Sequence, residues 1–137
     1  MKILVTGATG FFGPHILEVL KRYHDVVGVG QSDYNLLSID ECYQMFKDIN
    51  PEVVIHLAAV TGGILKNKTQ PADMWYQNML INPPIFKNAV EFNIKKLIYI
   101  LPGCAYPKIS DISMKEEDIW NGYPDEHPAP FSLARKM

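Results

Sequence analysis

The N-terminal residues Lys2 to Thr6 read K-I-L-V-T, a β-branched run stopped by Gly7, and the segment from Phe11 to Tyr23 repeats apolar residues at Ile16, Leu17, Leu20 and Tyr23. This predicts a strand, a glycine turn and an amphipathic helix. Pro14 falls in the first helical turn, where its missing N–H has no intrahelical acceptor to lose. Asp25 to Val29 (D-V-V-G-V) predicts a second strand, and Gln31 to Leu37 an irregular crossing. Ser38 and Glu41 then have capping-box spacing, ahead of a stripe at Cys42, Met45, Phe46 and Ile49 that ends at Asn50 and Pro51. That is a second amphipathic helix. Val53 to Leu57 is too short for a helix and apolar throughout, as a parallel strand buried on both faces should be. Pro71 to Phe92 has helical character at both ends, with a kink or break expected near Asn82 because Pro83 and Pro84 each remove a backbone donor. Lys96 to Leu101 is the fourth strand. Residues 102–130, rich in Pro, Gly, Asp and Ser, predict a surface loop, and Phe131 to Met137 the start of a helix.

Strands alternating with helices imply right-handed crossovers and a parallel sheet with both faces covered. The expected fold is α/β, a Rossmann-type three-layer α/β/α arrangement of about four strands in the order 2-1-3-4, forming one domain over residues 1–137 without a separate substrate domain. A ligand crevice is expected at the C-terminal ends of the first and third strands, where the order reverses.

Composition narrows the function classes. The 137 residues are 47% hydrophobic and 20% charged, and mean hydropathy is near zero, as in globular chains. A net charge of −2 offers no electrostatic footprint for nucleic acid, and no apolar run reaches membrane-spanning length. The first residues lack the pattern of a secretory signal, so the expected location is cytoplasmic. Cys42 and Cys104 match no metal-ligand spacing and read as reduced thiols. His15, His24, His56 and His127 form no spaced cluster, and His56, inside a strand, reads as a hydrogen-bonded core residue. No metal site is assigned.

Gly7, Gly10 and Gly13 stand in T-G-A-T-G-F-F-G directly after a strand and opening a helix. The physics of pyrophosphate binding asks for a tight turn at Gly7, close backbone approach at Gly10 and close helix packing at Gly13, with helix N–H groups facing the phosphates. The end of the second strand presents Gly30, Gln31 and Ser32 where an acidic residue usually holds the ribose, and no Arg or Lys to clamp a 2′-phosphate. The cofactor is NAD or NADP, with the choice open.

Four segments together carry a resemblance: T-G-A-T-G-F-F-G (6–13), I-H-L-A-A-V-T-G-G-I (55–64), P-A-D-M-W-Y-Q-N-M-L-I (71–81) and C-A-Y-P-K (104–108). In this order they resemble the GDP-L-fucose synthases of the extended short-chain dehydrogenase/reductase (NAD-dependent epimerase/dehydratase) superfamily. The resemblance implies that Thr9, Gly10, Phe11, Phe12 and Gly13 cradle the pyrophosphate, that Asn35 and Leu36 lie near the adenine, and that Leu57, Ala58 and Ala59 border the ribose. It further implies a GDP-sugar as a possible partner and a homo-oligomer contact through the helix carrying Trp75, which the double proline calls into question. Family chains continue well past this C-terminus, so the sequence reads as truncated to the N-terminal part.

The family's chemistry uses a Tyr-x-x-x-Lys pair and a Ser or Thr. Set against the family's E-P-Y-A-I-A-K, this chain has A-P-F-S-L-A-R, with Phe131 at the tyrosine, Arg135 at the lysine and Pro102 at the serine. Phenylalanine has no proton to give, and general acid–base help is typically worth ~10²- to 10⁴-fold in rate. Cys104 survives at the position resembling the family's epimerisation acid/base, although a small packed residue explains it as well. The expectation is a dinucleotide-binding domain that is catalytically inactive alone, a pseudoenzyme. The alternatives are an epimerase/reductase completed by another chain, and a non-enzymatic interaction module.

Overall fold

The computed structural model describes residues 1–109 and 113–137. They gather into two compact units, Met1–Ala59 with Leu80–Ile100, and Val60–Met79 with Leu101–Met137.

The first unit holds a four-stranded parallel sheet of β1 (Lys2–Thr6), β2 (Asp25–Val29), β3 (Val53–His56) and β4 (Lys96–Tyr99), in the order β2-β1-β3-β4. The register sets Thr6 beside Val29 on one side and His56 on the other, so three strands end level at the predicted crevice. Alternation of side chains along β1 and β3 divides the core. Ile3, Val5, Val53 and Ile55 pack with Ile16, Leu17 and Leu20 of helix α1 (Gly13–Leu20). Leu4 and Val54, fully buried, point the opposite way.

Helix α2 (Ile39–Ile49) buries Cys42, Met45, Phe46 and Ile49, the stripe anticipated from spacing. Ser38 caps it by accepting from the Glu41 N–H, and Asn50 closes it in the left-handed region with φ +46°, which Asn tolerates. The capping box is half formed, because the Glu41 carboxylate turns instead to the Asn35 N–H at 2.8 Å. Helix α1 ends at Leu20, earlier than predicted, and Tyr23 lies exposed beyond it.

The expected break near Asn82 is overturned. Helix α4 runs from Pro71 to Glu91 without interruption, through both Pro83 and Pro84. The two prolines remove donors to the carbonyls of Met79 and Leu80, at a usual cost of ~3 kcal/mol or more for a proline in a helix interior. Packing offsets this: Met74, Asn78, Ile81, Asn82, Ile85, Asn88 and Ala89 are buried at helical spacing along one face. Tertiary burial, which supplies most helical stability in proteins, outweighs local preference here.

In the second unit, helix α3 (Gly63–Thr69) follows the third strand, and helix α5 (Ala129–Lys136) ends the chain. The predicted loop over 102–130 lies partly outside the described residues. Its described part is more ordered than a plain loop, with short 3-10 turns at Gly103–Ala105 and Glu116–Trp120 and buried Ala105, Pro107 and Pro124. A cyclic proline loses little side-chain entropy on burial, so a proline-rich segment can fold back economically. Lys108 ties that return, donating its N–H to the Tyr123 carbonyl at 2.9 Å and pairing with Asp125 at 3.6 Å.

Candidate functional site

The glycine loop is built by close packing of backbone on backbone. Gly7 has φ +70°, and a Cβ there would come within 2.8 Å of the Ala58 nitrogen. A Cβ on Gly13 would lie 2.2 Å from the Ala8 carbonyl oxygen, so α1 starts directly against the loop that leads into it. The loop is pinned at both sides: Ala8 donates to the Val29 carbonyl at 3.0 Å, and Gly10 donates to the Gly7 carbonyl at 3.0 Å. Between these anchors Thr9, Gly10, Phe11 and Phe12 are exposed, and the two phenyl rings meet edge to face with centroids 5.6 Å apart. Phe12 is the N-cap of α1 and offers no side-chain cap, and the first turn carries no acidic residue. Helix N–H groups left this way favour an anion.

Of the other predicted cofactor contacts, Leu57, Ala58 and Ala59 are half-buried directly after β3. Leu36 is buried, and the Asn35 side chain accepts from the Leu37 N–H at 3.1 Å. The structure therefore brings the Gly7 turn against Leu57 and Ala58.

Sequence reasoning missed Asp33. Reading stopped at Gly30, Gln31 and Ser32, but the chain turns back after β2, and the Asp33 carboxylate accepts from the Gly30 N–H at 2.7 Å. An acidic group thus stands at the end of the second strand after all. An Asp three residues after a glycine is the available signal, since Asp side chains commonly bond nearby backbone in turns.

In the second unit a cavity of about 390 Å³ has an almost wholly apolar wall that includes Gly62, Gly63, Asn67, Cys104, His127 and Phe131. The G-G-I segment reaches it by two devices. Gly63 adopts φ +63°, and Asn78 clamps the residue before the loop, accepting from the Val60 N–H at 3.1 Å and donating to its carbonyl at 2.9 Å. Asn67 donates to the Gly63 carbonyl at 2.8 Å, and its amide oxygen is buried with no hydrogen-bond partner among the described residues. No spacing among the histidines points to His127. It joins this wall because its N–H donates to the Asp125 carboxylate at 3.1 Å, and that bond, with Lys108 alongside, holds Asp125 below the usual carboxylate range.

Of the positions that the resemblance sets against the family's Tyr, Lys and Ser, Phe131 is in the cavity wall together with Cys104, whereas Pro102 and Arg135 are not among its wall residues. Cys104 is exposed. Cys42 is the contrary case: burial pushes its thiol up to about 11, against a smaller opposing effect of the hydrogen bond from Asn88. Among the described residues no cluster of His, Cys, Asp or Glu could hold a metal ion, and no helix is long and apolar enough to cross a membrane.

Comparison with known proteins matches this arrangement. The chain is 30% identical over 136 residues to the GDP-L-fucose synthase of Escherichia coli K12, and 32% identical over 139 residues to that of Dictyostelium discoideum. It spans 98% of its own length in both matches but 42% and 43% of those proteins. Among solved structures, a GDP-L-fucose synthetase from Naegleria fowleri bound to NADP superposes with a TM-score of 0.85 at 34% identity, covering 99% of this chain and 44% of that one. A GDP-D-glycero-L-gluco-heptose synthase from Campylobacter jejuni, solved in the presence of NADPH, gives 0.91 at 26% identity, covering 98% and 40%. The NAD dependent epimerase/dehydratase family pattern matches residues 3–135, which takes in the glycine loop, the strand ends and the cavity wall alike. The chain belongs to the NAD dependent epimerase/dehydratase family.

Proposed function

We propose that this chain binds a nicotinamide dinucleotide and does not by itself carry out the hydride transfer of its relatives. The observation that carries the binding half is the glycine loop. Its backbone is tight where tightness serves, at Gly7 and Gly13, and exposed from Thr9 to Phe12 where a pyrophosphate would lie. Thr9, Gly10, Phe11, Phe12 and Gly13 would hold the diphosphate, Leu57, Ala58 and Ala59 the ribose, and Asn35 and Leu36 the adenine side. When bound, the dinucleotide supplies a hydride donor or acceptor. Asp33 is suited to accept from a ribose 2′-hydroxyl, and its charge opposes a 2′-phosphate, which favours NAD over NADP.

The second half rests on the residues at the replaced positions. Phe131 cannot exchange a proton with a substrate oxygen, and Pro102 cannot orient one. Arg135 keeps a cation, but no tyrosine is there for it to activate. Calorimetric titration with NAD, NADP, NADPH and ADP tests the reading. Binding of NAD, tighter than NADP, is the expected result, and heats at the level of dilution for all four would refute it.

A second reading has one observation in its favour. Cys104, at the position resembling the family's epimerisation acid/base, is an exposed thiol in the wall of the apolar cavity. With the rest of a longer protein present, it could serve proton transfer at a GDP-4-keto sugar. Exchange of solvent deuterium into such a substrate, lost in Cys104→Ala, would favour this reading, and equal exchange in both proteins would exclude it.

A further inference from the structure

A chain of buried polar groups crosses the first unit and ends at the crevice. Thr6 Oγ1 lies 2.7 Å from His56 Nδ1, His56 Nε2 lies 3.3 Å from Asn82 Oδ1, and the Asn82 amide nitrogen donates to the Tyr99 hydroxyl at 3.1 Å. Thr6 and His56 are fully buried and Asn82 is 5% exposed. At the other end the Ala58 N–H donates to Thr6 Oγ1 at 3.3 Å. The His56 and Tyr99 rings stack, with centroids 5.7 Å apart and planes 17° from parallel.

Proton accounting gives this chain a direction. The amide oxygen of Asn82 can only accept, so in the neutral imidazole the ring proton sits on Nε2. Nδ1 then accepts the Thr6 hydroxyl hydrogen, and the Thr6 oxygen remains the acceptor for Ala58. Donors run consistently from Ala58 through Thr6, His56 and Asn82 to Tyr99, across β1, β3, α4 and β4. Buried polar networks are costly unless every member is satisfied, and when satisfied they rigidify what they join. What they join here is the segment against which Gly7 turns, since a Cβ on Gly7 would meet the backbone of both Ala58 and Leu57.

We propose that Thr6 and His56 are positioning residues of the dinucleotide crevice: through the Thr6 hydroxyl they fix the Ala58 amide, and with it the wall of the Gly7 turn, without themselves touching the ligand. The inference rests on the dinucleotide reading above for its ligand, though not for its geometry.

The test compares Thr6→Val, which keeps shape and removes the hydroxyl, with Thr6→Ser, which keeps the hydroxyl. Asn88→Ala serves as the stability control, because Asn88 is buried and its amide donates to Cys42 Sγ in α2. Thr6→Val should weaken NAD binding about tenfold, the scale of one buried hydrogen bond. Thr6→Ser should stay within about twofold of wild type, and Asn88→Ala should leave affinity unchanged even where its melting temperature falls as far. Tyr99→Phe, at the half-buried far end, is the variant to use if Thr6→Val does not fold, with a loss of about threefold. Independently of any ligand, Ala58 amide exchange should speed up in Thr6→Val and not in Thr6→Ser, and the ¹⁵N spectrum of wild-type His56 should report the Nε2–H tautomer. Wild-type affinity and exchange in Thr6→Val, or an Nδ1–H tautomer at His56, would overturn the inference. Failure of wild type to bind NAD would instead remove the dinucleotide reading, leaving the exchange and tautomer results to decide this one.

Discussion

The glycine loop and the cavity of the second unit are built in different ways. In the loop the geometry is set by the backbone: Gly7 and Gly13 supply room and torsion, and α1 begins without a side-chain cap. At the cavity the wall is set by side chains, with Cys104, His127 and Phe131 beside the Gly62 and Gly63 turn. On the function proposed above, the loop serves binding and the cavity lacks the proton-transfer groups. That contrast separates dinucleotide binding from turnover as two independently measurable properties.

The largest effect should come from Gly13→Ala. Its new methyl would overlap the Ala8 backbone, and the three nearest atoms are all main chain, with no flexible side chain to move aside. Overpacking usually costs ~1–3 kcal/mol, and a clash this close belongs at or above the upper end. Denaturant unfolding should show that loss, together with loss of NAD binding. A variant of wild-type stability would break the account of the loop.

Thiol chemistry should sort the two regions next. Cys104, exposed, is expected to react with a disulfide reagent at least on the order of a hundredfold faster than Cys42, which becomes available only when the first unit opens. Mass spectrometry of partially labelled protein reads the order directly.

Alkaline titration is a smaller test of the same region. The Cys42 thiol is raised from 9.0 to about 11 by burial, so the folded state binds its proton more tightly than the unfolded chain does. This contribution is whole below about pH 9 and is lost as pH rises through about 11. Tyr34, raised chiefly by its hydrogen bond to Asp48, acts in the same direction. Melting temperature should fall across that window, less steeply in Cys42→Ala.

The smallest effect should be that of Phe131→Tyr on dinucleotide affinity, a change within about twofold, since Phe131 belongs to the cavity wall and not to the glycine loop proposed to hold the dinucleotide. A large change would show that the two functions are not separable in the way the contrast requires.

Much of this was legible in the sequence because it is periodic. The boundaries of β1 and β2 and the buried stripe Cys42, Met45, Phe46 and Ile49 follow from strand and helix spacing, and the sheet order from the strand–helix alternation with the glycine turn after β1. His56 read correctly as a bonded core residue, although its partners, Thr6 and Asn82, are 50 and 26 positions away. What escaped depends on contacts between distant segments. Pro83 and Pro84 predict a break that the buried face of α4 overrides. Asp33 returns to Gly30 through a turn that strand-end reading does not follow, and His127 reaches the wall that also holds Cys104 by way of Asp125.

The most direct test joins both halves of the claim in one cuvette. With dinucleotide at a concentration shown by titration to saturate the protein, GDP-4-keto-6-deoxymannose is added and nicotinamide absorbance is followed over many hours. The account predicts saturable binding with oxidation of the reduced dinucleotide no faster than in its absence; turnover by the wild-type chain, abolished by Gly13→Ala, would contradict it.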